Sequence, residues 1–294
     1  MPHALQPQRL RPTVFDNLDQ IRLRYPAEMS TNWTGRIVAL LIIAAGTALF
    51  IFGFDRLEFS WERIYNGFGR LGSFVPLMFP PSFGTEAKLW VYLESLAETL
   101  AIAFLGTLLA ALLAFPVSFL GANNVMTQRV IHFLSRRSFD TVRAIDPLIW
   151  ALVWVNVTGL GPFTGILAIM TGTFGDFAKL FSEAIEAADK KPVEGVVASG
   201  GSAAESVRFG LIPQVLPVML SQVLYYFESN TRSATIIGIV GAGGIGLHLS
   251  EQIRTLEWQH VSFLIIMILL TVAIIDAISA RLRFAIIGRR AVDG

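Results

Sequence analysis

The chain has 294 residues; 53% are hydrophobic, only 15% are charged, and the formal net charge is +1. Soluble domains carry about 25% charge, so this composition excludes an ordinary soluble globule and a disordered chain. It indicates a polypeptide that meets lipid. The balanced charge argues against a nucleic-acid binder, and the lack of cysteine removes disulfides, thiolate metal sites and thiol chemistry. His3, His132, His248 and His260 are scattered and form no metal-ligand spacing.

The first apolar run covers residues 37–54. A long polar, arginine-bearing segment precedes it and no small-residue cleavage site follows. It therefore reads as an uncleaved span and not a signal peptide. Further apolar runs cover residues 89–120, 145–158, 163–181, 212–227 and 261–280. The expectation is an all-α polytopic membrane protein with about six transmembrane helices, the third and fifth short enough to be tilted or broken. Residues 234–249 are apolar but hold Gly238, Gly241, Gly243, Gly244 and Gly246, which predicts a broken or re-entrant segment buried in protein.

Placing the N-terminus in the cytoplasm puts seventeen of the 23 Lys and Arg residues on inner segments, so both termini are expected inside. Between the first two runs, residues 55–88 carry Phe59, Trp61, Tyr65, Phe68 and Phe74, which suits an interfacial helix on the outer surface. The longest polar stretch between late spans is residues 183–213. Within it Asp189 to Pro192 suits a helix start. Val193, Val196 and Val197 share a face of that short helix, and Gly200 and Gly201 end it. Such a face either docks in a partner's groove or packs on the ends of the chain's own spans.

Glu194, Gly200 and Pro213 keep the spacing of the coupling-loop signature of ABC importer permeases, E-A-A-x-x-x-G followed by I-x-L-P. Gly195 and Val196 stand where alanines are usual, Gly210 at the isoleucine and Ile212 at the leucine. The resemblance sharpens in Gly159-Leu160-Gly161-Pro162-Phe163, in Lys179-Leu180-Phe181-Ser182-Glu183-Ala184 and in Phe79-Pro80-Pro81. It is most specific in Phe227-Glu228-Ser229-Asn230-Thr231-Arg232-Ser233-Ala234-Thr235, which runs into the glycine cluster. Over roughly residues 79–284 the chain resembles the permease subunit of phosphonate-type ABC importers, and the glycine cluster is shared with methionine-type permeases. Asp146-Pro147 departs from the pattern and is given no function.

The resemblance implies a type I importer permease core at 89–284, a cytoplasmic coupling helix in the 183–213 loop, a cytoplasmic arm at 1–34, a first span at 35–54, an outer loop at 55–88 and a cytoplasmic tail at 285–294. It implies ATPase coupling through Glu183, Glu194, Gly195, Gly200 and Pro213. It also implies a bacterial inner-membrane location. The expected partners are a second copy of the chain, a cytoplasmic ATPase dimer that holds ATP and Mg, an extracytoplasmic phosphonate-binding protein and the lipid bilayer. The chain itself is expected to bind no cofactor or metal and to have no catalytic residue.

Glu228 and Arg232, four residues apart, share a helix face. Paired, they either hold a helix end or, with Asn230, Ser233 and Thr235, line the path of the solute. Gly241, Gly243 and Gly246 spell G-x-G-x-x-G, but no ribose-binding acid follows at the distance a dinucleotide site requires. Gly241, Gly243, Gly244 and Gly246 therefore read as close packing or a gate. Glu94 and Glu98 read as solvated interfacial acids, and Asp176 with Lys179 as a local ion pair. No G-x-x-x-x-G-K-[ST] loop is present, so energy must come from another polypeptide. The alternatives are a permease for another small solute, of the methionine type, and an ion-coupled secondary transporter. The glycine break favours the transporter, and the lack of a visible repeat opposes it.

Overall fold

The computed structural model of the chain describes residues 33–57, 59–126 and 128–288. Among the described residues there is no strand. Residues 1–32 of the expected arm and 289–294 of the expected tail lie outside the described residues. The chain forms two units, residues 1–71 and 72–294.

In the first unit, α1 (Trp33–Arg56) is apolar all round and has no buried residue. At 1.5 Å per residue it is about 36 Å long, enough for a bilayer core. A helix that is hydrophobic on every face without protein around it needs lipid as its solvent. The following helix, α2 (Trp61–Phe74), exposes Trp61, Tyr65, Phe68 and Leu71 at helical spacing. Glu62, Arg63, Asn66 and Arg70 occupy the other face, the amphipathic pattern of a helix lying in an interface.

In the second unit the order is α3 (Glu86–Ser118), α4 (Arg129–Arg143), α5 (Pro147–Thr158), α6 (Pro162–Glu186), α7 (Lys190–Ala198), a π-helix (Ser206–Leu211), α8 (Ile212–Ile239), α9 (Ile245–Arg254) and α10 (Trp258–Ile287). The centre is α6, packed on α3, α4, α5 and α8. Buried positions on α3 recur every three or four residues, through Thr99, Ile102, Ala103, Gly106, Thr107, Ala110 and Ala114. The buried positions of α6, which is packed on several sides, include the small residues Gly165, Ala168, Gly172, Thr173 and Ala178. Small residues let helices in a membrane approach closely, where lipid supplies no hydrophobic push between them. A Cβ on Gly106 would stand 2.7 Å from the Ile169 side chain. Toward the far end of α6, Phe177 stacks on Phe181 at 5.0 Å and meets Tyr226 of α8 at 4.9 Å.

Among the described residues four helices are long and apolar enough to cross a membrane: α1, α3 with its short extension, the 203–239 segment ending in α8, and α10. The expected third span is α5, only 12 residues long, or about 18 Å against a core of about 30 Å. The expected fourth is α6, 25 residues long, but Asp176, Lys179 and Glu183 dilute its apolar character. The fifth was expected to end at residue 227, yet α8 runs unbroken to Ile239. Partners for its polar side chains, described below, let the helix continue. The 234–249 stretch is the end of α8, a turn and the start of α9.

Several local features follow from single residues. Asp146 accepts from the Leu148 N–H at 2.8 Å, with Pro147 in the first turn, so this dipeptide is a helix start. The expected Asp176–Lys179 pair is replaced by two crossed pairs to α4: Arg143 Nε to Asp176 at 3.3 Å, and Lys179 Nζ to Asp140 at 2.5 Å. Both α6 side chains point at α4, which offers the opposite charges. The Lys179 hydrogen bond holds the Asp140 carboxyl below its usual range.

Candidate functional site

Three sets of residues carry the chemistry. The first surrounds α7. Asp189 caps this helix, accepting from the Lys191 N–H at 3.0 Å. Gln214, on the first turn of α8, then clamps it: its Oε1 accepts from the Asp189 N–H at 3.1 Å, and its Nε2 donates to the Asp189 carbonyl at 3.1 Å and the Gly210 carbonyl at 2.6 Å. At the other end Gly200 adopts φ +87°, and Gly201 N–H returns to the Val196 carbonyl at 2.9 Å.

The expected apolar face is split. Val193 and Val196 are half-buried against the chain's own residues, and Val197 is 57% exposed. Gly210 permits the packing, since a Cβ there would lie 2.8 Å from the Val193 Cα. Glu194 and Gly195 face outward, and a Cβ at Gly195 would meet nothing within 4 Å. Glu183 and Pro213 are also exposed. Beside α7 an open groove of about 500 Å³ is lined by Asn124, Val125, Val193, Glu194, Val197, Val207 and Leu211. At the end of α6, Glu186 accepts from Arg136 Nη2 at 2.6 Å and from the Asn123 N–H at 2.8 Å.

The second set is the polar block of α8, whose members face different ways. Asn230 is buried and donates to Thr107 Oγ1 of α3 at 2.8 Å and Thr173 Oγ1 of α6 at 3.0 Å. It ties three helices together inside the unit. Glu228 is buried and accepts from Arg232 Nη1 at 3.0 Å, and its second oxygen lies 3.5 Å from Arg283 Nη2 of α10. The Arg232 side chain is 49% exposed. Ser233 lines a small cleft with Asp146, Pro147 and Ile236. Thr235 is buried and bonded to the Thr231 carbonyl at 3.2 Å. Glu228 with Arg232 is thus one ionic group and Asn230 a separate knot.

The third set is the glycine turn. Gly241, Gly243 and Gly244 have φ of +99°, +83° and +73°, the left-handed region that glycine tolerates. A Cβ on Gly246 would collide with the Thr235 carbonyl, and one on Gly238 would lie 2.5 Å from the Gly243 carbonyl. The start of α9 is capped by α3: Glu98 Oε1 accepts from the Gly244 N–H at 3.2 Å and Thr99 Oγ1 from the Ile245 N–H at 2.8 Å. The 159–162 turn joins them through Gly161 N–H to the Gly241 carbonyl at 3.0 Å. Glu98 is therefore a half-buried cap and not a solvated acid, whereas Glu94 is exposed. A helix start with no polar residue of its own needs an acceptor from elsewhere, a signal that the sequence of 241–246, glycine with Ala242 and Ile245, did carry.

Sequence reasoning gave no role to Gln214 or Glu186, and placed Arg283 only beside Asp276 at the inner membrane face, a contact the structure has at 3.8 Å. The partners of Glu186, Asn123 and Arg136, and the second partner of Arg283, Glu228, lie far along the chain. Among the described residues no group of three or more His, Cys, Asp or Glu side chains is placed to hold a metal.

This arrangement of helices, with a short helix presented between α6 and α8, is that of an importer's membrane subunit. Residues 106–289 match the family described as binding-protein-dependent transport system inner membrane component, and the chain belongs to that family. The phosphite transport system permease protein PtxC of Stutzerimonas stutzeri is 31% identical over 220 residues, 75% of this chain and 79% of that protein. HtxC of the same organism, also named for a phosphite transport system permease, is 39% identical over 230 residues, 78% of this chain and 80% of its own length. The phosphate-import permease protein PhnE of Mycolicibacterium smegmatis is 36% identical over 225 residues, 76% of this chain but 41% of that protein. The MetNI methionine ABC transporter in an inward-facing conformation has a chain that superposes with a TM-score of 0.62 at 18% identity, covering 69% of this chain and 99% of that one. The fold is thus that of a type I ABC importer permease, and the chain is a multi-pass inner-membrane transport permease.

Proposed function

We propose that this permease moves phosphonate, phosphite or a related phosphorus oxyanion from an extracytoplasmic binding protein into the cytoplasm. Two copies form the pathway, both termini face the cytoplasm, and a separate ATPase dimer carrying ATP and Mg engages Glu183, Glu194, Gly195, Gly200 and Pro213. The observation that carries the coupling is α7: a short helix clamped rigidly at Asp189 yet turning Glu194, Gly195 and Val197 outward beside an open groove. A rigid rod with one free face transmits a push; a face packed on its own spans does not. The cargo class rests on the phosphite and phosphate permeases named above.

The solute passes by Glu228, Arg232, Ser233 and Thr235 of α8 at successive points of its path, and Asn230 keeps that helix in place. The turn at Gly241, Gly243, Gly244 and Gly246, tied to Glu98 and Gly161, works as the outer gate. In this mechanism ATP closure draws α7 inward, α8 follows through Gln214, and the α8–α9 end opens the outer side. Reconstituted with an ABC ATPase and a phosphonate-type binding protein, the chain is expected to drive ATP-dependent uptake of phosphite or phosphonate. Uptake of methionine alone, or uphill transport by the chain without any ATPase, would overturn the reading.

A further inference from the structure

The turn between α5 and α6 holds up a leucine. Gly159 and Gly161 have φ of +85° and +136°, and a Cβ on either would meet nothing within 4 Å. Glycine is there for the backbone shape and not for packing. Thr164, buried in the first turn of α6, grips that shape: its Oγ1 donates to the Gly159 carbonyl at 2.5 Å and its N–H to the Gly161 carbonyl at 3.1 Å. The residue so presented, Leu160, is 75% exposed. A large apolar side chain at the tip of a locked turn is unfavourable in water and marks a contact.

Leu160 stands over the glycine turn. Its Cδ2 lies so near Gly241 that a Cβ there would collide with it. The Gly161 N–H ties the two turns through the Gly241 carbonyl at 3.0 Å. Both turns lie at the end of the unit away from α7, which connects the other ends of α6 and α8. The α6 helix between those ends has 25 residues and is about 37 Å long. A cleft of about 220 Å³ beside Leu160 also has Ser95, Glu98, Gly244 and His248 on its walls. An acyl chain there would lie against a carboxylate and an imidazole, so lipid is a poor cover for Leu160. A second copy of the chain is a better one, because in a two-fold contact a protruding residue near the axis meets its own counterpart.

We propose that Leu160 is the plug of the outer gate, closing the pathway against Leu160 of the second copy. The inference rests on the reading of the glycine turn as the outer gate between two copies. Two leucines in contact exclude water, and an anion cannot shed its hydration shell to pass an apolar constriction. The Gly161–Gly241 tie makes the plug follow the α8–α9 end, so the leucines part when that end opens.

The chain has no cysteine, so a disulfide in L160C reports one distance only, that between residue 160 of the two copies. In the complete importer in liposomes, mild oxidant is expected to link L160C into a dimer that stops ATP-driven phosphite uptake, and reductant to restore it. Without ATP, L160S should pass iodide and phosphite down their gradients about tenfold faster than wild type, and L160M should keep the seal. Iodide keeps the leak readable whichever solute the importer carries. Assembly, read by co-purification with the ATPase, should be unchanged, since Leu160 packs on so little of its own chain. The proposal is overturned if L160C gives no linked dimer, or if L160S is as tight as wild type. G241A separates the two failures. If it leaks or loses uptake while L160S stays tight, the glycine gate stands and only the plug falls. If G241A and L160S both keep wild-type leak and uptake, the gate reading falls with it.

Discussion

The interior where α3, α6 and α8 meet and the outward face of α7 are built on opposite rules. The interior is small-residue packing knotted by Asn230, with both amide hydrogens given to hydroxyls of neighbouring helices. The α7 helix is clamped at one end by Gln214 and left open along Glu194, Gly195 and Val197. Interior changes should therefore be paid for in stability, and α7 changes in coupling with stability intact. The two regions share α8, which bears the clamp at its start and the knot past its middle. Under the proposed coupling, a push on α7 would reach the helix interior as a movement of the whole rod.

The sharpest way to break this contrast is to put volume where backbones touch. G246V is expected to abolish folded protein or cost about 3 kcal/mol or more, because the Thr235 carbonyl that a side chain would hit belongs to a helix backbone and cannot swing aside. Detergent-solubilised thermal unfolding and yield measure it; a G246V protein as stable as wild type would mean the α8–α9 contact is slack. N230A comes next. It strips Thr107 and Thr173 of their donor in a dry interior and should cost about 2 kcal/mol, read as a lower unfolding midpoint. Transport lost at an unchanged midpoint would instead move Asn230 from the knot to the solute path.

Much of this was legible in the sequence, and the exceptions have one cause. The apolar runs announced α1, α3 and α10, because twenty apolar residues in a row have no other stable home. The glycines of 241–246 announced a break, and the structure has one. The short loop helix announced itself through Asp189 and Gly200. What stayed hidden were the pairings across helices. Asp176 and Lys179 are three apart and read as a local pair, yet each crosses to α4. Glu98 read as a solvated acid because its partner, Gly244 N–H, lies 146 residues away and is a backbone group that no residue type betrays. Arg283 meets Glu228 of α8 as well as Asp276 on its own helix, and only the second contact follows from spacing. Periodicity reports which face a residue takes, and it is silent on which helix comes to meet that face.

On the other side of the contrast, E194K and V197D should each leave unfolding within about 0.5 kcal/mol of wild type, since both positions are solvent-facing on a short helix. Both should sever ATPase attachment, measured as loss of co-purification and of solute-stimulated ATP hydrolysis. An E194K importer that transports normally would return α7 to the status of a surface helix. E98A falls between the regions: it removes a cap supplied by α3 to α9 and should cost about 1 kcal/mol, while E98Q keeps an acceptor oxygen and should cost less.

The smallest effect lies just before the π-helix, where Ser202 and Glu205 form a capping box. The Glu205 carboxylate accepts from the Ser202 N–H and hydroxyl, each at 2.7 Å, and Ser202 Oγ accepts from the Glu205 N–H at 3.4 Å. The Ser202 backbone bond first, and its hydroxyl second, hold the Glu205 carboxyl below its ordinary value of 4.5. A group depressed on folding stabilises the fold above its unfolded value and gives that up as pH falls through the folded one. Amide-exchange protection at Glu205 and Ser206, relative to the unstructured rate at each pH, should accordingly be constant from neutrality down to that value and fall only in more acidic solution. E205Q should show the lower protection at neutral pH and lose its acid dependence. Because the box sits next to the segment that carries α7's far end to α8, an E205Q importer should also couple slightly less well at neutral pH. Equal exchange in E205Q and wild type at every pH would show that the turn is held by its packing and not by the box.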